Sequence, residues 1–485
     1  MSDDRLLVVG GDVVTMDRDR SVVTGATVAV RGGRIVAVGA ELPMRDLLPG
    51  AAVIDARGCL VVPGLVNAHQ HTTMDPLVRS TIPDELDAHT AVHGWAVPLH
   101  AHTTPDDDEV SATLTAVECL TRGITTLLEA GTVAHPDRVA RGLATAGIRA
   151  RVGCWGWDTE GAPHALPTAE VLARQEETVM SLSALSALSA PSSLSAPSVR
   201  SGGPAADEGL VTGWITLVGH DLASDDLLTG AAALAERLDT HLTWHISPDS
   251  RDTDVYLERT GARPVEHFHR IGVLGPRLLL GHAVWMSERE LELVLDTRTA
   301  VASCPAACLR LGQGYTRASR HTDLVRRGGR LALGCDSHNA GDTPDILRAA
   351  WLTAALDRDR GIPEPLRADQ VFALATVDGA EAVGLGHLIG SIEPGKAADL
   401  VVIDATGPAW TPRGDPALQL VWGAASDSVR DVVVAGRVVV RDGRPTTLDL
   451  PALLKEATDR SSALLRRSGI DAPRRWPERA AARTP

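Results

Sequence analysis

Residues 64–72 read GLVNAHQHT and close an apolar run that begins at Leu60. In an extended strand, residues i and i+2 point to the same face. His69 and His71 therefore project side by side from one strand end. Two imidazoles so placed are a poor way to fill a core and a good way to hold something.

Working outward from this strand, the chain alternates. Helical patterns over 108–122, 137–146, 168–183 and 224–239 are interleaved with the strand-like runs ITTLLEAG, RARVGCWG, WITLVGH and HLTWHIS. A partly helical stretch at 252–272 leads to RLLLGHAV, SERELELVLDT, AVASCP and a helix near 320–328. RLALGCD and a helix over 343–358 complete the series. Eight strand–helix pairs predict a parallel (β/α)8 barrel over 61–385. An open doubly wound sheet would show a Gly-rich phosphate turn after its first strand, and GLVNAHQHT supplies none. Short Val/Ile runs with Gly turns precede this region and return after it, as in ADLVVIDA and VRDVVVAGRVVVRDGRP. They predict a small β-sandwich domain built from both chain ends, 1–60 and 386–450. Residues 181–209 are low-complexity Ser/Ala/Leu/Pro and read as a mobile surface insertion. After Asp449 a helix over 452–467 and a loosely held tail are expected.

Composition bounds the rest. With 44% hydrophobic and 22% charged residues, the 485-residue chain is of the soluble globular class. A net charge of −15 argues against nucleic-acid and anionic-membrane partners. No apolar run approaches the ~20 residues of a membrane helix, and the N-terminus lacks a signal-peptide pattern. Six cysteines scattered through strand-like and helix-like segments read as reduced, buried thiols of a cytoplasmic protein.

In a (β/α)8 barrel all C-terminal strand ends converge on one mouth. The polar residues closing strands are His69 and His71, His245 in HLTWHIS, His282 in RLLLGHAV and Asp336 in RLALGCD. Histidines from several strands with one carboxylate make an N/O ligand set for a divalent cation. His220, closing WITLVGH, reads as structural, and His267 and His269 as surface or packing residues.

At these residues the chain resembles the amidohydrolase superfamily, in the branch of cytosine deaminase-like and triazine hydrolase-like enzymes. The resemblance is carried by VVPGLVNAHQHT, TRGITTLLEAG, LLLGHAVWMSERELELV, VASCPAACLRLGQG, LALGCDS and GSIEPGKAADLVVID, in the family's order over nearly the whole chain. It implies that His69, His71, His245 and Asp336 bind one divalent metal ion, zinc first and iron or manganese as alternatives. His282 and Asp336 are then the catalytic pair that handles an activated water. A metal ion lowers the pKa of bound water from 15.7 toward ~7. Asp336 would take the water's proton, and His282 would hydrogen-bond the developing oxyanion. The expected reaction is hydrolysis of a non-peptide C–N bond in a small-molecule substrate, by deamination or amide hydrolysis, in a homodimer. A non-catalytic barrel retaining the metal site is the alternative from another class.

The chain departs from the family at two places. The glutamate that follows the third histidine by three residues, which shuttles a proton in the deaminases, is replaced by Pro248, with Asp249 adjacent. The family's Ser-Asn after the seventh strand is Ala307 and Cys308. Glu129 is one candidate for the missing acid. Trp155 and His338 are candidate substrate contacts, with Trp157, Trp95 and Asp342 as further mouth residues. The polar segment 84–102 reads as a loop after strand one, either a lid or solvated.

Overall fold

The computed structural model describes residues 5–159, 164–189, 209–423 and 426–477. Eight parallel strands form the barrel: β1 Leu65–Gln70, β2 Ile124–Glu129, β3 Arg149–Val152, β4 in two pieces Val211–Gly213 and Ile215–Gly219, β5 Leu242–Ile246, β6 Leu278–His282, β7 Ala300–Ser303 and β8 Arg330–Leu333. Nearly every residue in them is buried, as expected of strands covered on both faces. β4 is split at Trp214, whose first piece pairs with β3 and second with β5. The ring closes where Gln70 bridges Asp336 and where the Cys335 and Asp336 amides donate to the His69 carbonyl at 3.1 and 2.9 Å. The first and last strands are thus joined at the very residues singled out as ligands.

The outer helices fall where the apolar periodicity places them, among them Pro105–Thr121, Pro136–Ala146, Asp225–Arg237 and Ile346–Asp359. Their starts follow cap chemistry. Thr104 and Asp107 form a reciprocal capping box, as do Ser287 and Glu290 before Glu288–Asp296. The helix Thr168–Ser189 enters the low-complexity segment, and the expectation of a mobile insertion falls on 190–208, outside the described residues.

The two chain ends build one nine-stranded sheet. Its central seam is antiparallel pairing of Cys59–Pro63 with Leu400–Asp404, in which Val62 faces Val401. The sheet curls until Arg34 bridges Ala397, so both layers of the expected sandwich belong to one continuous sheet. The boundary with the barrel falls at Gly64, slightly later than expected, because Cys59–Pro63 pairs in this sheet.

Sheet and barrel are joined through Asp399, the last residue of the Pro-Gly-Lys-x-Ala-Asp turn. Its carboxylate accepts from Arg149 Nε at 2.9 Å and Nη2 at 3.1 Å, a buried pair, and from the Ala435 amide at 2.7 Å. Removing one member of a buried pair strands the other charge, at about 3–5 kcal/mol. Arg149→Ala should therefore lower stability by that amount in chemical denaturation, whereas a change below about 1 kcal/mol would show the junction to be held elsewhere.

One expectation is corrected. The segment 84–102 is not a loop. It forms helices Ala88–Ala91 and Val97–His100 joined by a π-helical turn, in which Asp87 caps through the Thr90 amide. The C-terminal helix expected over 452–467 is present as Leu450–Ser468. Leu464 and Ala457 pack with Met74, Leu77, Val78 and Leu99, and Arg460 and Arg467 pair with Asp107. Arg475 beyond it pairs with Asp84 and Glu85.

Candidate active site at the barrel mouth

His69 sits at the centre of the mouth, and two glycines make room for it. A Cβ at Gly281 would lie 2.9 Å from His69 Cε1, and one at Gly334 2.7 Å from its Cβ. The glycines of LLLGH and LALGCD are therefore spaces for an imidazole. The register sets His245 opposite Gly281 and Ile246 opposite His282, which brings the ends of β5 and β6 to one level.

His71 Nε2 lies 3.2 Å from His245 Nε2 and 3.4 Å from Asp336 Oδ1. His282 Nε2 lies 3.8 Å from Asp336 Oδ2. One donor atom each from His69, His71 and Asp336, and one each from His69, His245 and His282, lie within 4.8 Å of one another. His69 Nε2 is buried without a hydrogen-bond partner. Four donors around a cation at ~2.0–2.1 Å stand ~3.3 Å apart in a tetrahedron. The observed spacings and the orphaned nitrogen fit a divalent cation at these residues.

Electrostatics agree. Burial, reinforced by neighbouring imidazoles, holds His69 and His245 well below the usual histidine range. Burial also brings His282 to about 4 against the opposing pull of Asp336. These rings are neutral at pH 7 and keep the lone pairs that coordination requires. Several mouth residues adopt left-handed backbone: His220 (φ 57°), Ser247 (46°), His282 (66°), Asp336 (65°) and Met74 (62°). Each costs of the order of 1–3 kcal/mol, and such strain concentrates at functional sites.

Thr132 orients the cluster: its Oγ1 lies 2.8 Å from His71 Nδ1. Outer partners of this kind set ring orientation, and their loss typically costs 10–100-fold in metal affinity. Thr132→Val should weaken metal retention by about that factor in chelator competition. Unchanged retention would assign the orientation to the packing of the ring alone.

Above the cluster lies a cavity of about 410 Å³. His71, His245, His282 and Asp336 line it, and Val92, Val97 and His100 of the 84–102 helices form part of its wall. Trp155 lines it as expected, packed edge-on against Trp157 at 5.0 Å between ring centroids.

The structure takes two expected residues out of the cavity. Glu129 is wholly buried beneath it, where its carboxylate accepts from the Gly131 amide (2.7 Å) and the Thr132 amide (3.4 Å). Burial raises its pKa to about 7. It supports Thr132 and does not reach the cavity. His338 turns away as well: its Nε2 lies 3.2 Å from Glu118 Oε2, which Arg79 also pairs, so it fastens the loop after β8 to the Pro105–Thr121 helix. Trp95 and Asp342 are likewise absent from the lining. Asp249 lines the cavity but spends an oxygen on the Arg251 amide, as N-cap of the Ser250–Thr260 helix.

Two residues enter the cavity wall unforeseen. His220, read as structural, lines the cavity with Nδ1 2.8 Å from Asp252 Oδ2, an oxygen that also accepts from the Ser247 amide at 2.7 Å. Asp75, four residues beyond His71, is 3% exposed and lines the cavity. Asn339 Nδ2 donates to its Oδ1 at 3.0 Å. Cys308, at the changed family position, places Sγ 3.9 Å from His282 Nδ1.

Comparison with known proteins gives a consistent picture. The amidohydrolase family profile matches residues 60–439. The chain is 30% identical over 451 residues to the 5-methylthioadenosine/S-adenosylhomocysteine deaminase of Syntrophobacter fumaroxidans, covering 93% of this chain and 96% of that one. An adenosine deaminase from Xanthomonas campestris, solved with bound zinc, superposes with a TM-score of 0.84 at 26% identity, covering 95% and 98% of the two chains. The zinc-complexed atrazine chlorohydrolase of Arthrobacter aurescens shares the fold, with a TM-score of 0.82 at 24% identity and coverage of 95% and 100%.

Proposed function

The chain belongs to the amidohydrolase family, and from that premise we propose a zinc-dependent deaminase that releases ammonia from an amino-substituted, nucleoside-like heterocycle. The observation that carries this reading is the convergence of His69, His71, His245 and Asp336 beneath an open cavity. A divalent ion held there would supply the acidity that makes water a nucleophile at neutral pH. Asp336, with one oxygen beside His71 and the other toward His282, is the base placed to accept the water proton. His282 is placed to donate to the oxygen that gains charge as the tetrahedral centre forms. The Trp155–Trp157 wall and the apolar side chains of the 84–102 helices offer a flat ring an apolar face.

The names of the related deaminases supply the assay panel: 5′-methylthioadenosine, S-adenosylhomocysteine and adenosine. Purified protein should hold about one equivalent of zinc and release ammonia from at least one of these. Less than a tenth of an equivalent after zinc reconstitution, or ammonia from none of the three, would overturn the proposal. Hydrolysis of a cyclic or linear amide is a second reading, favoured by Pro248, because that reaction needs no ring-nitrogen proton carrier. New carboxylate formed in the same assays would identify it. The cavity open above Asp336 speaks against a non-catalytic barrel.

A further inference from the structure

Pro248 occupies the position from which deaminases of this branch move a proton, so a deaminase built on this chain needs another carrier. Glu129 lies outside the cavity and Asp249 is committed to a helix cap. Asp252 spends Oδ2 on both His220 and the Ser247 amide, which ties it to the strand-end backbone. Asp221 lines the cavity but is part-exposed.

Asp75 is the most deeply buried of the carboxylates that line the cavity. We propose that Asp75 is the proton carrier that serves the ring nitrogen of the substrate, in place of the acid lost at Pro248. This rests on the deaminase reading above. Asn339, three residues beyond Asp336, fixes Asp75 Oδ1, while Oδ2 stands 4.0 Å from His100 Nε2, too far for a hydrogen bond. That oxygen is thus held at the cavity wall and left available to a substrate. The backbone is shaped for the purpose. Met74 adopts φ 62°, uncommon for a non-glycine residue, and is wholly buried against Leu77, Val78, Leu99 and Leu464. A strained turn held by packing aims the next side chain inward. Burial also raises the Asp75 carboxyl above the usual carboxylate range, which favours the protonated form a donor needs.

The step balances. Water oxygen bonds to the carbon that bears the amine, and Asp336 takes the released proton. The C=N electron pair moves to the ring nitrogen, which takes the proton of Asp75. As the carbonyl forms, the carbon–amine bond breaks, and the amine leaves as ammonia with the proton from Asp336. The hydroxyl proton returns to Asp75, so both carboxyl groups end as they began.

The test uses full-length zinc-loaded protein and whichever of the three adenine nucleosides wild type deaminates. Asp75→Asn should keep the zinc content and melting temperature and lose about 10²–10⁴-fold in turnover, the range for a general acid–base group. Asp75→Ala should be equally slow and regain activity on addition of formate but not of chloride, a response that loss of structural support would not give. More than a tenth of wild-type turnover in Asp75→Asn would overturn the assignment. So would an Asp75→Ala enzyme that formate does not revive, and this arm decides the matter if Asp75→Asn does not fold. Absence of turnover in wild type on all three compounds would instead strike the deaminase reading itself.

Discussion

Replacing His69 with alanine should leave a folded protein that holds almost no metal and has no measurable turnover. His69 is packed against three other imidazoles, with ring centroids 5.4, 4.7 and 4.8 Å from those of His71, His245 and His282. Its Nε2 has no partner among the described residues. The ring therefore contributes no hydrogen bond from that nitrogen to the apoprotein, and its loss removes one donor from a set crowded with lone pairs. Loss of activity should exceed the ~10²–10⁴-fold expected for a single acid–base group, because every other group at the mouth acts on water or substrate positioned there. Elemental analysis together with a thermal melt checks this. A near-stoichiometric zinc content in His69→Ala would remove His69 from the ligand set.

The second large effect separates holding from proton transfer. Asp336→Asn keeps an oxygen where Oδ1 accepts from the Ser337 amide at 2.8 Å, and loses the basic carboxylate. Metal occupancy should survive while turnover falls about 10²–10⁴-fold. Zinc lost in parallel with activity would show that the negative charge of Asp336, rather than its oxygen, holds the ion. Asp336→Asn and Asp75→Asn combined should be less than additive, because both residues serve one proton circuit.

Much of this site was legible in the chain because strands have period two and barrels gather strand ends. His69, His71, His245, His282 and Asp336 each close a run of Leu, Val, Ile or Ala, and each arrives at the mouth. The same rule failed for His220, since one histidine at a strand end looks alike whether it faces a cavity or fills a core. Glu129 also closes a strand, but the Gly131 and Thr132 amides turn its carboxylate inward, a contact made by the bend after the strand and not by the strand itself. His338 was misplaced because the loop after β8 folds toward Glu118, a residue 220 positions earlier. Asp75 stood in a polar stretch without periodicity. What singles it out is the φ of Met74 and the reach of Asn339, neither of which is written in local pattern.

The seam of the nine-stranded sheet has a consequence for how the protein is made. Val62 pairs with Val401, so strand Cys59–Pro63 leaves the ribosome some 340 residues before its partner. At 5–20 residues per second this is a wait of roughly 20–70 s. Throughout it, an all-apolar strand offers an unpaired edge to any neighbouring chain. The newborn protein is thus most vulnerable while its barrel is being synthesised and until Leu400–Asp404 arrives, an interval in which holding chaperones would govern yield.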